Sequence, residues 1–431
     1  MGGRRRFLAQ SMAASIAGLV APRSGAAQAG RLDTDFIIIG AGAAGIAAAR
    51  LLLGLGRRVV VLEARDRVGG RAWTSTEALG LPWDRGAQWL HNGRDNPLWS
   101  LARRAGRDPI WSDFENMQVT GPDGAAQALF AGFDALDDRI DRAATQATAQ
   151  TRLDTLITGA PWADAALHLS ALSIGGDPAQ IALQDAAMME SGADALVPGG
   201  PGGLLGALAQ GLPIQLGHVV RAIDMRAGDR LVVSGDFGQL SARAVLVTIP
   251  PMVLAQGALA VTPPLPARHR EAFAALRPAD FIKVGLRLPA MVHGGTEFAV
   301  DPSALLAGMG ALLHLDPRAP LASVLFAGRY ARDLAAAGPA GLAEAAQAVL
   351  YHHTGQRAIA TDSHDWRADP FSGGTWALLQ PGAASARQDY VAPVEDRLFF
   401  AGEAAPGPFA TTLGGAWLSG LAAAEAMDAA V

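Results

Sequence analysis

The stretch DFIIIGAGAAGIAAARLLLGLGRRVVVLEARDRVGGR, residues 35–71, decides the fold. It opens with a continuous apolar run, 36–39, which is typical of a strand buried on both faces of a sheet. The glycine-rich residues 40–45 follow, and an alanine-rich segment predicts a helix to about residue 55. A second apolar run, 59–62, ends at an acidic residue. This order of strand, glycine turn, helix, strand and acid predicts a dinucleotide-binding βαβ unit.

The three glycines of this G-x-G-x-x-G have separate physical roles. Gly40 makes the turn, Gly42 lets the backbone approach a pyrophosphate, and Gly45 lets the helix pack closely on the sheet. The N–H groups and the positive end of the helix dipole then point at the phosphates. Glu63 lies 23 residues after Gly40, where a carboxylate would accept hydrogen bonds from ribose hydroxyls.

Glu63 begins the string EARDRVGGR, which resembles the signature of the flavin amine oxidase superfamily. That family includes monoamine oxidases, polyamine oxidases and the flavin-dependent histone lysine demethylases. The resemblance implies FAD, with Glu63 on the adenosine ribose and with Arg65 and Arg71 near the pyrophosphate and the flavin. Guanidinium donors fit phosphate oxygens, and Gly70 lets the backbone pass close to a ligand.

Four further segments carry the same resemblance. DRGAQWLHNGRDNPLW, 84–99, resembles the polyamine oxidase segment that runs under the flavin ring. GHVVRAIDMRAGDRLVVSGDFGQLSARAVLVTIPP, 217–251, predicts a series of strands with turns at 227–228 and 234–235. In the family a valine at the start of this unit offers backbone groups to the adenine. Val220 matches best and Val219 is possible, although either one also fits as a plain strand valine.

The last two segments imply the substrate side. In WRADPFSGGTW, residues 366–376, Trp376 falls where many members place one wall of an aromatic cage, which can hold an amine. Thr375 stands where monoamine oxidases carry the flavin-linking cysteine, and the chain has no cysteine. The resemblance therefore implies non-covalent FAD.

The closing segment RLFFAGEAAPGPFATTLGGAWLSGLAAAEAM supplies the second wall of the cage. Thr412 falls at that position, where monoamine oxidases have tyrosine and the demethylases have threonine. Leu413 begins a predicted helix whose N-terminus would favour the negative charge of reduced flavin. The predicted cofactor-binding residues are Gly40, Gly42, Ala43, Ala44, Gly45, Glu63, Ala64, Arg65, Gly70, Arg71, Gly86, Ala87, Gln88, Trp89, Val220, Gly402, Glu403, Thr412 and Leu413. The predicted catalytic residues are Lys283, Trp376 and Thr412.

Lys283 is the only lysine among 35 basic residues. It lies in FIKVGLRL, an alternating strand pattern that puts Phe281, Lys283, Gly285 and Arg287 on one face. A solvated strand lysine is the ordinary interpretation. The family, however, carries a lysine at this position, where its amine holds a water against flavin N5. Lysine is a compact donor whose pKa falls on burial, whereas arginine stays charged.

The predicted fold class is α/β, with a Rossmann-type FAD-binding domain that is discontinuous and an inserted α+β substrate-binding domain. We assign 33–92, 196–279 and 381–431 to the FAD-binding domain and 93–195 and 280–380 to the substrate-binding domain. A chain of 431 residues is too long for one core. Net charge of -5 argues against a nucleic-acid partner, and no H-E-x-x-H pattern predicts a metal site.

Residues 1–29 are predicted to be a twin-arginine signal peptide. Arg4 and Arg5 precede Phe7, an apolar stretch of about half the roughly 20 residues of a spanning helix follows, and Ala27 and Ala29 frame a small-x-small cleavage site. The sequence thus predicts export by the twin-arginine machinery to the periplasm or medium, without a membrane span.

The resemblance implies an FAD-dependent amine oxidase. A small-molecule amine would give an imine by hydride transfer to flavin N5, the imine would be hydrolysed, and O2 or a cytochrome-like acceptor would reoxidise the flavin. Three alternatives stay open: an L-amino-acid oxidase, a carotenoid-type FAD desaturase, and a flavin-binding protein without turnover.

Changing both Arg4 and Arg5 to Lys is expected to leave the precursor in the cytoplasm, because the twin-arginine pattern is the export signal. Immunoblots of periplasmic and cytoplasmic fractions measure this, with Arg57→Lys as a control in the mature chain. Normal export of the double variant would exclude this signal.

Overall fold

Residues 34–189, 192–292 and 295–431 are described by a computed structural model, and the predicted signal peptide lies outside them. These residues form 22 strands in six sheets. In chain order the strands are β1 (Phe36–Ile39), β2 (Val59–Leu62), β3 (Thr74–Ser75), β4 (Trp83–Asp84), β5 (Trp89–Leu90), β6 (Ile110–Trp111), β7 (Met117–Val119), β8 (Ala195–Leu196), β9 (Ile214–Gln215), β10 (Val220–Asp224), β11 (Leu231–Gly235), β12 (Gly238–Ala242), β13 (Ala244–Val247), β14 (Ala260–Thr262), β15 (Leu276–Pro278), β16 (Phe281–Arg287), β17 (Phe298–Val300), β18 (Ala311–Leu315), β19 (Leu321–Ala327), β20 (Ala360–Ser363), β21 (Ala377–Leu379) and β22 (Leu398–Phe400).

The same part of the chain forms 13 α-helices. They are α1 (Ala43–Gly54), α2 (Pro97–Arg104), α3 (Ala125–Ala144), α4 (Pro161–Ile174), α5 (Leu183–Met188), α6 (Gly200–Leu208), α7 (Pro251–Ala255), α8 (Ala267–Ala275), α9 (Pro302–Leu306), α10 (Gly328–Ala336), α11 (Gly338–Thr354), α12 (Ala386–Val391) and α13 (Leu413–Ala430).

A parallel five-stranded sheet, in the order β22-β13-β1-β2-β9, carries the glycine turn. The predicted strands 36–39 and 59–62 are confirmed, and both are buried along their whole length. Their side chains alternate between two cores: Phe36 and Ile38 pack on the α1 and α13 side, whereas Ile37 and Ile39 pack on the other side. Burial on both faces explains why the sequence shows continuous apolar runs here.

Helix α1 packs on the sheet and on α13 at distances that only glycine allows. A Cβ on Gly45 would lie 1.9 Å from the carbonyl oxygen of Gly40. A Cβ on Gly420, in α13, would lie 2.1 Å from the carbonyl oxygen of Ala44. The third glycine of the motif therefore serves helix packing, as the sequence predicts.

A second sheet has six strands in the order β20-β16-β19-β18-β17-β7. Strand β16 pairs antiparallel with β19 and β20 and confirms the predicted strand at Lys283. The even-numbered residues 282–286 pack in an apolar core. Gly285, on the opposite face with Lys283, lies against the ring of Trp83, since a Cβ on Gly285 would be 2.7 Å from that ring.

One predicted turn needs correction. Residues 234–235 belong to β11, and the hairpin turn lies at 236–237 because β12 begins only at residue 238. The glycine-rich residues 199–203 form the N-cap and the first turn of α6. Helix α3 ends at Ala144, where β-branched and polar residues follow.

The predicted division into two domains stays a prediction. Every strand of the five-stranded sheet lies in segments assigned to the FAD-binding domain, and every strand of the six-stranded sheet lies in segments assigned to the substrate-binding domain. In the described residues no helix is both long and apolar enough to cross a membrane.

A buried ion pair joins segments that are far apart in the chain. Arg387 donates to both carboxylate oxygens of Asp185 at 2.7 and 2.8 Å, and each side chain is 1% exposed. The guanidinium also donates to the carbonyl oxygens of Ala377 and Ala404. Four hydrogen bonds thus offset the desolvation of the arginine.

Replacing Arg387 with Met is expected to lower the free energy of unfolding by about 3–5 kcal/mol, because Asp185 would be left as an uncompensated buried charge. Arg57→Met, which breaks an exposed pair with Asp428, should cost far less, because solvent screens an exposed ion pair. Urea unfolding followed by circular dichroism measures both. Equal losses in the two variants would contradict the role of burial.

Candidate active site

The carboxyl ends of the parallel strands meet at one edge of the five-stranded sheet. Gly40 follows β1, Glu63 follows β2, Thr248 follows β13 and Gly402 follows the β22 segment. The hydroxyl of Thr248 donates to the carbonyl oxygen of Ile39 at 2.8 Å. In open α/β sheets this edge is where ligands bind. The structure thus brings together predicted residues from both ends of the chain.

Glu63 is buried and ties two turns of this edge together. One carboxylate oxygen accepts from the backbone N–H of Ala41 at 2.7 Å, and the other accepts from the N–H of Arg65 at 2.9 Å. Ala64 lies between Glu63 and Arg65 in the same turn. A carboxylate has about four acceptor sites, so Glu63 keeps capacity for ribose hydroxyls.

The start of α1 fits a pyrophosphate. Gly42 is the N-cap residue and no side chain caps the helix. A Cβ on Gly42 would meet no atom within 4 Å, so the space in front of the helix is open. Gly70 lies nearby, since its Cβ would be 3.4 Å from the Cα of Gly42. Ala43 and Ala44 start the helix, and its uncapped N–H groups and dipole suit two phosphates.

Arg71 connects the first and last segments of the site. Its guanidinium donates to Glu403 at 2.9 Å and to the carbonyl oxygen of Thr375 at 2.6 Å. The second oxygen of Glu403 accepts from the N–H of Ala377 at 3.2 Å. The predicted residues of the N-terminal motif, the cage segment and the C-terminal motif therefore form one cluster.

Arg65 is engaged differently from Arg71. Its guanidinium forms a largely buried ion pair with Asp369 at 3.0 Å and donates to the hydroxyl of Ser372 at 2.7 Å. Its backbone N–H holds Glu63. A phosphate of FAD would have to share this guanidinium with Asp369, so direct binding of the pyrophosphate by Arg65 stays a prediction.

The segment 86–89 is fixed against Arg71 and Lys283. A Cβ on Gly86 would lie 1.7 Å from the carbonyl oxygen of Arg71, and the N–H of Ala87 donates to that same oxygen at 3.2 Å. Trp89 donates its indole N–H to the hydroxyl of Ser112 at 3.3 Å. Position 86 therefore requires glycine, because any side chain there would clash with the carbonyl oxygen of Arg71.

Lys283 reaches this segment from β16. Its ammonium donates to the carbonyl oxygen of Gly86 at 2.7 Å and to Oε1 of Gln88 at 2.9 Å, and it lies 5.2 Å from the ring centre of Trp83. The side chain is only 6% exposed. The structure thus excludes the solvated-lysine interpretation.

Burial lowers the pKa of Lys283 to about 8, while the nearby Asp84 raises it. Burial also raises the pKa of Asp84 to about 6, against the effects of Lys283 and of the Thr74 hydroxyl, which donates to Asp84 at 2.5 Å. A lysine with a lowered pKa can hold or release a proton near neutrality.

The two predicted cage residues occupy different surroundings. Trp376 donates its indole N–H to the carbonyl oxygen of Ile174 at 2.8 Å, and its ring centre lies 4.7 Å from that of Phe281. Thr412 caps α13: its hydroxyl oxygen accepts from the N–H of Gly415 at 3.0 Å and donates to the carbonyl of Phe409 at 2.7 Å. Leu413 is the first residue of α13, as predicted.

Val220 is buried at the start of β10, where it pairs with Gly235 of β11, and Val219 precedes it. A Cβ on Gly235 would lie 2.1 Å from the carbonyl oxygen of Val219. These contacts leave both valines as candidates for binding the adenine.

Gly402 lies against Tyr390, whose hydroxyl donates to the carbonyl oxygen of Ala401 at 2.8 Å.

Sequence reasoning missed Asp84, His314 and Glu297. Asp84 is the first residue of the segment 84–99 that carries the resemblance, but the sequence does not indicate that its carboxylate is buried near Lys283. His314 is the one polar residue in the buried strand β18, which was a usable signal. Glu297 gave no signal.

The model of the flavin-containing amine oxidoreductase family matches residues 43–120 and 116–428. The chain belongs to this family. Its cofactor is accordingly FAD, as predicted, and the α/β fold class is confirmed. Among curated relatives, it is 29% identical to polyamine oxidase 4 of Oryza sativa subsp. japonica, over 90% of this chain and 87% of the relative. It is 28% identical to lysine-specific histone demethylase 2 of Homo sapiens, over 92% of this chain.

The chain spans about half the length of that demethylase, 54%. Two solved structures share its fold. A redesigned putrescine oxidase has a TM-score of 0.79 at 20% identity and covers 93% of this chain and 99% of its own. Cyclohexylamine oxidase from Brevibacterium oxydans has a TM-score of 0.77 at 23% identity and covers 92% of this chain and 98% of its own.

Arg71→Met is expected to weaken FAD binding about 10-fold or more, because Glu403 would lose its charged partner and its negative charge would repel the pyrophosphate. Flavin released by acid precipitation, per mole of protein, measures retention after dialysis. Arg58→Met, at an exposed ion pair with Asp35, is the control. Equal flavin content in both variants would contradict the role of Arg71, and flavin that stays in the pellet would contradict non-covalent binding.

Proposed function

We propose that this chain is an exported FAD-dependent amine oxidase that oxidises the C–N bond of a small amine. The observation that carries the proposal is the buried Lys283, which donates to Gly86 and Gln88 beside the cofactor edge. Family membership supports the flavin chemistry. The export step rests on the N-terminal sequence alone.

FAD, when bound, would take up the hydrogen and the electron pair that leave the carbon next to the amine nitrogen. The chain must then bind the amine in its neutral form, orient that carbon and supply a proton site. Water adds to the resulting imine and releases a carbonyl compound with ammonia or a smaller amine. Either O2 or a redox protein would remove the electrons.

Lys283 is the proton site in this proposal. Two of its donors are held by Gly86 and Gln88, so Nζ has a fixed position. With a pKa of about 8, the amine can pass a proton to or from a water molecule near neutral pH. Asp84 keeps part of the lysine population charged.

The substrate side is aromatic. Trp376 packs on Phe281, which lies on the same strand face as Lys283. Trp89 packs near Phe298, with ring centres 6.3 Å apart. Aromatic walls hold an amine and its carbons by dispersion and cation–π attraction. An amine with an apolar body is the substrate class that these walls favour.

The alternatives receive less support. An L-amino-acid oxidase needs an arginine for the substrate carboxylate. Of the three arginines of the cofactor motif, Arg65 and Arg71 are already paired with Asp369 and Glu403, and Arg67 donates to the backbone of its own loop. A flavin-binding protein without turnover would have no use for a buried lysine, which is costly to desolvate. The carotenoid-type desaturase stays open as an alternative, and a panel of substrates would distinguish it from an amine oxidase.

Lys283→Met is expected to keep FAD but to slow flavin reduction or reoxidation about 10-fold or more, because a positioned proton site is lost. Anaerobic stopped-flow bleaching across a panel of monoamines, polyamines and amino acids measures reduction, and mixing with O2 measures reoxidation. The pH dependence of the affected step, centred near 8 in the wild type, should disappear.

The matched control is Arg287→Met on the same face of β16, whose guanidinium donates to the backbone of Leu79. It should retain wild-type rates. Wild-type rates in Lys283→Met would refute the role of the lysine, and a flavin that no amine bleaches would refute the amine oxidase activity.

A further inference from the structure

A continuous line of buried polar side chains leads away from Lys283. Gln88 is next to the ammonium, its Nε2 lies 3.0 Å from Nδ1 of His314, and Nε2 of His314 lies 3.3 Å from Oε1 of Glu297. His314 is fully buried, and Gln88 and Glu297 are each 7% exposed. The Ser112 hydroxyl donates to the same Glu297 oxygen. The proposed reaction gives no role to the part of this line beyond Lys283.

The direction of every hydrogen bond in this line is fixed from its two ends. A lysine ammonium only donates, so the amide oxygen of Gln88 must face Lys283. The amide nitrogen of Gln88 then donates to Nδ1 of His314, which must be unprotonated. Nε2 of His314 therefore carries the proton and donates to Glu297, since a carboxylate only accepts.

Glu297 is itself fixed at the far end. Its second oxygen accepts from the backbone N–H of Asp113 at 2.7 Å. The ring of His314 is also held in place, with its centre 5.1 Å from Trp89 and 5.0 Å from Phe298. The carboxylate thus selects the tautomer of a ring that has little freedom to turn.

We propose that His314 and Glu297 are positioning residues that hold the Gln88 amide with its oxygen toward the Lys283 ammonium. Without an acceptor at Nδ1, the amide would be free to turn its N–H groups toward Lys283, an orientation that favours the neutral amine, whose lone pair can accept, over the ammonium. Donor against donor is repulsive, and the charged lysine would lose a hydrogen bond of the stronger, charge-assisted kind. The inference rests on the proposed function only in taking Lys283 as the proton site.

Other charged groups around Lys283 are already engaged. Asp84 faces it from β4 and is held by Thr74. Asp362, on the neighbouring β20, accepts from the indole of Trp83 at 2.7 Å and from Arg85 at 2.6 Å. Arg318, which lies near Asp84, is paired with Asp316 at 2.6 Å. None of these pairs includes His314 as a hydrogen-bond partner, so Gln88 is the direct contact between His314 and Lys283.

Because Lys283 is the only lysine in the chain, its titration can be observed directly. Growth on [ε-13C]lysine gives a holoenzyme with one labelled side chain, and its Cε signal reports the charge of Nζ as pH is varied. No assignment and no substrate are needed.

His314→Phe keeps an aromatic ring but removes both nitrogens. The Lys283 midpoint is expected to fall by about one pH unit relative to the wild type, because the charged form loses its oriented acceptor. His314→Asn, which retains an acceptor near the Nδ1 position, should restore most of the midpoint. Glu297→Gln should give a smaller fall, since a neutral amide no longer selects the tautomer.

Two variants calibrate the measurement. Gln88→Glu places a carboxylate beside the ammonium and should raise the Lys283 midpoint. His269→Phe changes another fully buried histidine, which bonds the carbonyl of Ala392 at 2.8 Å in a different core, and should leave the midpoint unchanged.

An unchanged midpoint in His314→Phe, with Gln88→Glu still active as a probe, would overturn the proposal. So would an equal fall in His269→Phe, which would make the shift a general effect of core mutation. If His314→Phe does not fold, Glu297→Gln decides, because a midpoint equal to the wild type there would also overturn it. Since turnover is not measured, these outcomes are independent of whether the substrate is an amine.

Discussion

The parallel pairing of β22, β13, β1 and β2 is the constraint on which the site depends. Parallel strands bring their carboxyl ends to one edge, so Gly40, Glu63 and Gly402 meet although more than 300 residues separate the first from the last. The Arg71–Glu403 ion pair fastens the two ends of the chain there. Helix α13 then packs on α1 through Gly420, which keeps the start of α1 directed at the same edge.

The proposed chemistry depends on a second sheet, which carries Lys283 to this edge. Strand β16 carries Lys283 to the backbone of Gly86, a residue that must be glycine because of the Arg71 carbonyl beside it. Removing an ammonium from water is costly. Here two hydrogen bonds, the Asp84 carboxylate and the face of Trp83 offset that cost. The charged form of Lys283 is therefore less stable than it is in water but is not excluded, so its pKa lies at about 8, a value suited to proton transfer near neutral pH.

Two sets of buried polar groups in the described residues are held by several hydrogen bonds each. Asp185 and Arg387 are satisfied by four hydrogen bonds of the guanidinium. The line from Lys283 to Glu297 likewise pairs donors with acceptors at each step. A fully satisfied network is rigid, and a half-satisfied one would be costly. Rigidity of this kind sets the position of a reactive side chain more finely than apolar packing alone.

The sequence by itself determined the βαβ unit, the strand at Lys283, the first residue of α13 and the family, because apolar periodicity and glycine spacing are local properties. It also singled out Arg71 and Glu403 separately. Only the tertiary structure decided that these two meet, that Arg65 is committed to Asp369, and that Lys283 is surrounded by Asp84, Gln88 and His314. Burial, tautomer and pKa arise from residues that are distant in the chain, and a one-dimensional pattern does not specify which of them will be neighbours.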